Sequence, residues 1–426
     1  MTRRVAVIGG GWAGLAAAVD AAERGHAVRL FEASRVLGGR ARTLEIALPA
    51  GGSALVDNGQ HILVGAYLET LRLMEKVGVD PDAALLRLPL VLRDVDGQGL
   101  ALPAWPAPWD AAAGILGARG WRWRDKLSLL RGATRWQLAG FRCDEALTVA
   151  ELTRGLTPAV RQQLVEPLCV AALNTPAERA SAQVFLRVLG DALFGRGHRG
   201  WGGSNLLLPR QELGRLFPDA ARRWLLAHGA EVRMGQRAHL GRDADGGWRV
   251  EGERFDDAIL ATPAAEAARL VEESGVAAAD WLAQARALGH EAIATVYVTG
   301  GPRLPLPMLA LRCGPGAPAQ FVFDRGQLGG PPGLLAFVVS ASPAEKDSLE
   351  REVLAQASGL GWPVRPLKTI VEKRATFACV PGLRRPPAAI APGLWACGDY
   401  VEGPYPATLE GAVRAGLAVA QGLGRA

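Results

Sequence analysis

Gly9, Gly11 and Gly14 stand directly behind the apolar run Val5-Ala6-Val7-Ile8, and Glu32 closes the next apolar run, Ala27 to Phe31. Glycines at this spacing suit a phosphate-bearing ligand. Gly9 permits a tight turn, Gly11 lets backbone approach a pyrophosphate because it carries no β-carbon, and Gly14 lets a helix lie close on a strand. The helix opening at Gly11, with Trp12 and Ala13 in its first turn, directs unpaired N–H groups and its positive dipole end to the same place. Gly25 suits the end of that helix, where left-handed backbone is needed. Glu32, followed by Ala33, is placed to accept hydrogen bonds from ribose hydroxyls, and its charge disfavours a 2′-phosphate. A lone glycine pattern arises by chance. Strand, glycine turn, helix, strand and acid in order within about 30 residues specify a dinucleotide-binding βαβ unit.

The chain that must position these residues has 426 of them, enough for two or three domains. Its 49% hydrophobic and 21% charged content fits a globular protein with a large interior. Met1-Thr2-Arg3-Arg4 runs straight into the first strand, so no secretory leader is expected and the cytoplasm is the expected compartment. The long uncharged stretch from Gly326 to Ala344 is broken by Pro331-Pro332 and glycines, which argues against a membrane span. Five scattered cysteines without a CxxC pair read as free thiols, and the six histidines show no ligand spacing, so no metal is expected.

Charge is unevenly placed. Between Arg119 and Arg142 lie seven basic residues and one acid, and Trp105, Trp109, Trp121, Trp123 and Trp136 fall in the same region. Trp105, Trp109, Trp121, Arg122, Trp123 and Arg124 have the composition of a membrane-interface patch, where indoles sit at headgroup level and guanidinium groups meet anionic lipid. The other reading is a helical cap with its tryptophans in the core and its arginines solvated. No nucleic-acid-binding module is recognisable.

Further along, Tyr67 to Val77, Leu127 to Leu138 and Pro158 to Leu168 have helical patterning. Strand character marks Glu231 to Met234, Trp248 to Val250, a run from Phe255 to Pro263, Ile293 to Val298 and Leu334 to Val339. Gly393 to Cys397 reads as a buried strand that ends in the polar turn Gly398-Asp399, and Leu409 to Leu423 as a helix with small residues on one face.

With Gly38-Gly39-Arg40 after the acid, Asp57-Asn58-Gly59-Gln60-His61, and Gly398-Asp399 before Tyr405-Pro406-Ala407-Thr408-Leu409-Glu410, the chain resembles the flavin-dependent amine oxidase and phytoene desaturase superfamily over nearly its whole length. Asn58 to Leu63, Glu166 to Pro176 and Gly398 to Ala407 are similar to its branch in squalene and hopanoid synthesis, the hydroxysqualene dehydroxylases.

The resemblance implies an α/β fold: an FAD-binding, Rossmann-like domain of the two-dinucleotide-binding-fold flavoprotein type with an inserted mixed α+β substrate domain. The FAD domain would take residues 1–78, 206–265 and 386–426, and the substrate domain 79–205, facing the membrane, and 266–385. FAD would be held by Gly9, Gly11, Trp12, Ala13, Gly14, Glu32, Ala33, Gly39, Arg40, Gly59, Gln60, His61, Val232, Ala238, Gly398, Asp399, Thr408 and Leu409. Cys379 and Cys397 lie in no attachment motif, so non-covalent FAD is expected.

The implied reaction is reductive dehydroxylation of hydroxysqualene, a C30 isoprenoid alcohol, to squalene, at the inner face of the cell membrane and with the electron donor unnamed. Glu166 and His61 are the candidate catalytic groups, and Cys169, Asn174, Tyr400 and Tyr405 the candidate pocket residues. Glu166, beside Val165 and Pro167-Leu168, is expected in an apolar setting that raises its pKa. The alternatives are an isoprenoid desaturase, an amine oxidase, or a non-catalytic FAD-binding lipid carrier.

Overall fold

The computed structural model describes residues 2–49, 51–243, 245–342 and 345–424. The first apolar run forms β1 (Arg4–Ile8), buried from Val5 onward. On one side it pairs in parallel with β2 (Ala27–Glu32), Val5 opposite Val28, and on the other with the strand Asp257–Leu260, Ala6 opposite Ala258. A parallel sheet covered on both faces needs near-continuous apolar runs, which these strands have. The sheet order is Glu231–Met234, β2, β1, Asp257–Leu260, Leu394–Ala396, Ala389–Ala391, with the last pair antiparallel. Three stretches far apart in the chain thus build one sheet, and the glycine turn and Gly398-Asp399 both follow carboxyl ends of its strands, where ligands of such sheets bind.

Between β1 and β2 runs α1 (Trp12–Glu23), buried from Trp12 to Ala21. Gly25, at φ +82°, stops it, with the amides of Gly25 and His26 bonded to the carbonyls of Ala22 and Ala21. The C-terminal helix Leu409–Gly422 crosses α1 so closely that a β-carbon on Gly416 would lie 2.2 Å from the Ala13 carbonyl oxygen. Only glycine fits there.

The expected single strand from Phe255 to Pro263 is two. Glu253–Phe255 closes an antiparallel meander with Leu240–Arg242 and Trp248–Val250, while Asp257–Leu260 enters the parallel sheet. Asp256 is the junction, its amide bonding to the Arg4 carbonyl (2.9 Å) and its carboxylate accepting from the Arg4 amide (2.8 Å).

A second, antiparallel sheet has the order Met308–Ala310, Phe321–Asp324, Leu335–Ser340, His290–Thr299, Arg365–Phe377, with the helix Lys346–Gly359 on one face through Leu349, Val353 and Ala357. The helices Trp109–Leu116, Trp123–Leu138, Glu166–Leu173 and Ala182–Phe194 form a further layer. Arg161–Val165 is π-helical: Pro167 has no N–H to donate four residues back, so the ladder shifts register ahead of it. The strand Leu206–Pro209 pairs with Leu63–Val64 on one side and Leu85–Leu88 on the other.

Candidate cofactor and active site

The glycines of the opening turn divide by what a side chain would strike. A β-carbon on Gly9, at φ +114°, would meet the Ala261 carbonyl oxygen at 2.6 Å, and one on Gly14 would meet the Gly9 carbonyl oxygen at 2.0 Å. Both are required by the protein's own packing. A β-carbon on Gly11 would find nothing nearer than Gly39 Cα at 3.9 Å. The protein leaves that space open in front of the first turn of α1, whose N-cap Gly11 offers no side chain to bond the free amides. A pyrophosphate fits those donors and that space.

The neighbouring loop completes the cradle. Gly38 donates its amide to the Gly10 carbonyl (2.9 Å), and Gly39, at φ +62°, faces Gly11. Glu32 sits at the end of β2 with one carboxylate oxygen accepting from the Gly10 amide (2.6 Å) and the other from the Ser34 amide (2.7 Å), beside exposed Ala33. Each oxygen keeps a lone pair for a ribose hydroxyl. The Trp12 indole is engaged within the protein, its N–H bonded to the Ala41 carbonyl (3.2 Å) and its ring packed on Phe217. Val232 lies in the strand Glu231–Met234, opposite Leu30. Ala238 is outside that strand, buried in the segment after it.

Arg40 joins the two ends of the chain. Its guanidinium pairs with the Asp399 carboxylate and donates to the Ala375 carbonyl (2.8 Å). Gly398 has tight surroundings of its own, since a β-carbon there would lie 2.8 Å from the Tyr400 ring. Thr408 caps the C-terminal helix, accepting from the Gly411 amide (3.1 Å), and Leu409 is that helix's first residue. The positive end of a 14-residue helix therefore points out beside Pro406-Ala407.

Asn58 to His61 forms the other wall. The Asn58 side chain accepts from the Arg42 amide (3.1 Å), while Gln60 has both amide atoms buried without a partner. So do the Thr262 hydroxyl and the Tyr400 hydroxyl. Leaving a buried polar group unmatched costs about 1–3 kcal/mol, so these groups fit a polar ligand such as the flavin of FAD. His61 Nδ1 lies 2.8 Å from the Gly59 carbonyl oxygen. That contact assigns the proton to Nδ1 and leaves Nε2 an acceptor. Burial, and then the Arg40 charge, hold the ring below its ordinary pKa and hence neutral, while the Gly59 bond opposes them.

One group that sequence reading missed is Asp57, at the end of the strand Ser53–Asp57. It is 1% exposed, accepts from the Leu213 amide (2.8 Å), and has its second oxygen buried without a partner. Burial pushes its pKa up to about 7, against the Leu213 bond and the Arg325 charge. The signal available in sequence was only its place in the motif.

Other expected site residues are elsewhere. Glu166 is exposed on the helical layer, not enclosed by apolar side chains; partial burial of its carboxyl, and then Glu178, raise its pKa. Cys169 is fully buried, with its thiol directed to the Thr175 carbonyl. Asn174 has its amide spent on structure: at φ +48° it ends the helix Glu166–Leu173, donates to the Thr376 hydroxyl (2.9 Å) and accepts from the Ala341 amide (2.7 Å). Tyr405 donates to Asp191 (2.9 Å) with its ring between Arg187 and Arg414. It borders a cavity of about 570 Å³ shared with Glu69, Arg72, Arg385, Asp399 and Glu402.

Trp105, Trp109, Arg122, Trp123 and Arg124 are exposed, but Trp121 is buried and bonds Gln163 through its indole N–H (2.8 Å), so it does not belong to a surface patch. Among the described residues no helix is long and apolar enough to cross a membrane.

The flavin containing amine oxidoreductases match this chain over residues 12–423, and the chain belongs to that family. It is an FAD-dependent oxidoreductase. A hydroxysqualene dehydroxylase from Zymomonas mobilis subsp. mobilis is 26% identical to it, over 97% of either chain. A zeta-carotene desaturase from Synechocystis sp. is 37% identical over 82 residues, which is 19% of this chain and 16% of that protein. An oxidoreductase from Methanosarcina mazei shares the fold, with a TM-score of 0.73 at 16% identity over 98% of this chain and 100% of the other.

Proposed function

We propose that this flavoprotein reduces hydroxysqualene to squalene, replacing the hydroxyl of a C30 isoprenoid alcohol by hydrogen, within squalene and hopanoid synthesis. The observation that carries this reading is extent: the dehydroxylase relative matches 97% of both chains, whereas the desaturase match covers 19% of this one. Reduced FAD, when bound, is the source of the hydride. One proton must also arrive, so that the hydroxyl leaves as water.

The chain's own residues divide the remaining work. The Gly11 turn and α1 take the pyrophosphate, Glu32 the ribose, and the capped end of the helix Leu409–Gly422 faces the far end of the cofactor. The Nε2 acceptor of His61 suits it to hold a substrate hydroxyl by its proton. The same tautomer makes it a poor acid. Glu166 drops out of the chemistry in this reading. A substrate of this kind dissolves in lipid, so the reading includes a peripheral position at the inner face of a membrane.

The test is anaerobic. Enzyme with chemically reduced FAD is mixed with hydroxysqualene in detergent while flavin absorbance and lipid products are followed. Squalene formed in step with flavin reoxidation is the expected result. No reoxidation with FAD fully bound would leave a carrier, and a product with an added double bond, formed from oxidised enzyme, would leave a desaturase.

A further inference from the structure

The helix Trp123–Leu138 has two apolar faces. One is in the core, carrying Leu129 and Trp136. On the opposite side Trp123, Leu127 and Leu138 recur at helical spacing as a second stripe. Trp123 is 68% exposed, Leu127 46% and Leu138 84%. The helix Trp109–Leu116 packs alongside and adds Trp109, Leu116 and, from the loop before it, Trp105. Six of the eleven large apolar side chains exposed among the described residues lie between Trp105 and Leu138. Isolated exposed apolar residues are ordinary, but this concentration is not.

The charges beside the stripe are unmatched. Arg119, Arg124, Arg131, Arg135 and Arg142 are exposed, and none makes an ion pair among the described residues. A second copy seated on this face by two-fold symmetry would set arginine against arginine. A sheet of lipid phosphates supplies the missing anions, and tryptophan with leucine suits the boundary just beneath them.

We propose that this face docks on an anionic lipid bilayer, with Trp123, Leu127, Leu138 and Trp109 sunk below the headgroups and the arginines on lipid phosphates. For its purpose the inference rests on the reading of a lipid-dissolved substrate; its geometry does not.

The experiment uses the full chain with FAD bound and measures co-sedimentation with vesicles of phosphatidylcholine alone or mixed with phosphatidylglycerol. Binding to the mixed vesicles is expected to exceed binding to phosphatidylcholine. Leu127→Asp with Leu138→Asp should weaken it by at least about tenfold. Arg124→Gln with Arg131→Gln and Arg135→Gln should remove most of the anionic preference, at roughly fivefold per arginine. FAD content and melting temperature, expected to be unchanged at these exposed sites, report on folding.

No binding of the wild type to anionic vesicles would overturn the proposal, as would stripe variants that bind like wild type. Light scattering that shows a wild-type dimer split by the stripe substitutions would assign the face to a second copy instead. Turnover of detergent-dispersed hydroxysqualene separates the two ideas. If vesicle binding fails while turnover persists, only docking falls; if vesicles bind without turnover, only the reaction falls.

Discussion

Gly11 and Gly14 share a residue type and a motif, yet the structure gives them opposite consequences. At Gly14 a methyl group would collide with the Gly9 carbonyl at 2.0 Å, so Gly14→Ala should cost several kcal/mol of stability. At Gly11 the same methyl has 3.9 Å of clearance and meets only the space meant for a phosphate. Gly11→Ala should keep the unfolding midpoint of the FAD-free protein within about 1 kcal/mol and weaken FAD binding by more than about tenfold. Equal stability losses in both variants would overturn the distinction. Asp57 supplies a second residue-scale prediction. Its folded-state pKa, about 7, lies above the ordinary carboxylate value of 3.8, so its contribution to stability is complete below pH 4 and is lost as pH rises towards 7. The loss approaches about 1.4 kcal/mol per pH unit. Melting temperature should therefore fall from pH 5 to pH 7 through this group, and Asp57→Asn should flatten that slope; an unchanged slope would sink the assignment. Glycine roles were legible in sequence because they depend on local spacing. The burial of Asp57 was not, since it depends on Leu213, 156 residues away. Trp121 and Trp123 show the same limit: two indoles in one short run, one in the core and one in solvent, according to where the helix begins.

Elements meet through a few buried polar groups. Glu410, fully buried in the first turn of the C-terminal helix, accepts from the amides of Glu69 (3.1 Å) and Thr70 (2.9 Å) and from the Thr70 hydroxyl (2.8 Å), where the helix Leu68–Lys76 starts. Arg414 closes the group from the next turn (2.7 Å). One carboxylate thus caps one helix while holding another in place beside the cofactor cradle. Glu410→Gln turns an acceptor towards a donor at these amides and should cost about 2–4 kcal/mol, read from the urea midpoint. A loss below about 1 kcal/mol would show that the contacts do little. Sequence periodicity located the helices but not this joint, because an acid at a helix start reads as an ordinary first-turn charge. It also merged the strands on either side of Asp256, whose turn from one sheet to the other follows from Arg4, in a distant part of the chain. The π-helical turn before Pro167 lies in a stretch whose pattern suggests a plain helix.

The antiparallel sheet is tied to the rest of the molecule by contacts that no local pattern announces. The Tyr297 hydroxyl donates to the Asp57 carbonyl (2.8 Å), Arg40 to the Ala375 carbonyl (2.8 Å), and Asn174 binds the helical layer to Thr376 and Ala341. The parallel sheet itself needs residues 4–32, 231–260 and 389–396 together. Segment order was readable from the motifs, but pairings such as Leu206–Pro209 with Leu85–Leu88 depend on tertiary placement. Such connectivity leaves the antiparallel sheet no freedom to unfold alone, because melting it removes the partners of Asp57, in the hairpin of Thr43–Ala47 with Ser53–Asp57, and of Arg40, in the loop beyond β2. Calorimetry should therefore show one transition for the FAD-free protein. FAD, on the proposed binding by both ends of the chain, should raise that transition as a whole, by about 2.7 kcal/mol at a hundredfold excess over its dissociation constant. Two transitions, with only one moved by FAD, would mean that the antiparallel sheet is energetically separate and that these contacts carry little of the stability.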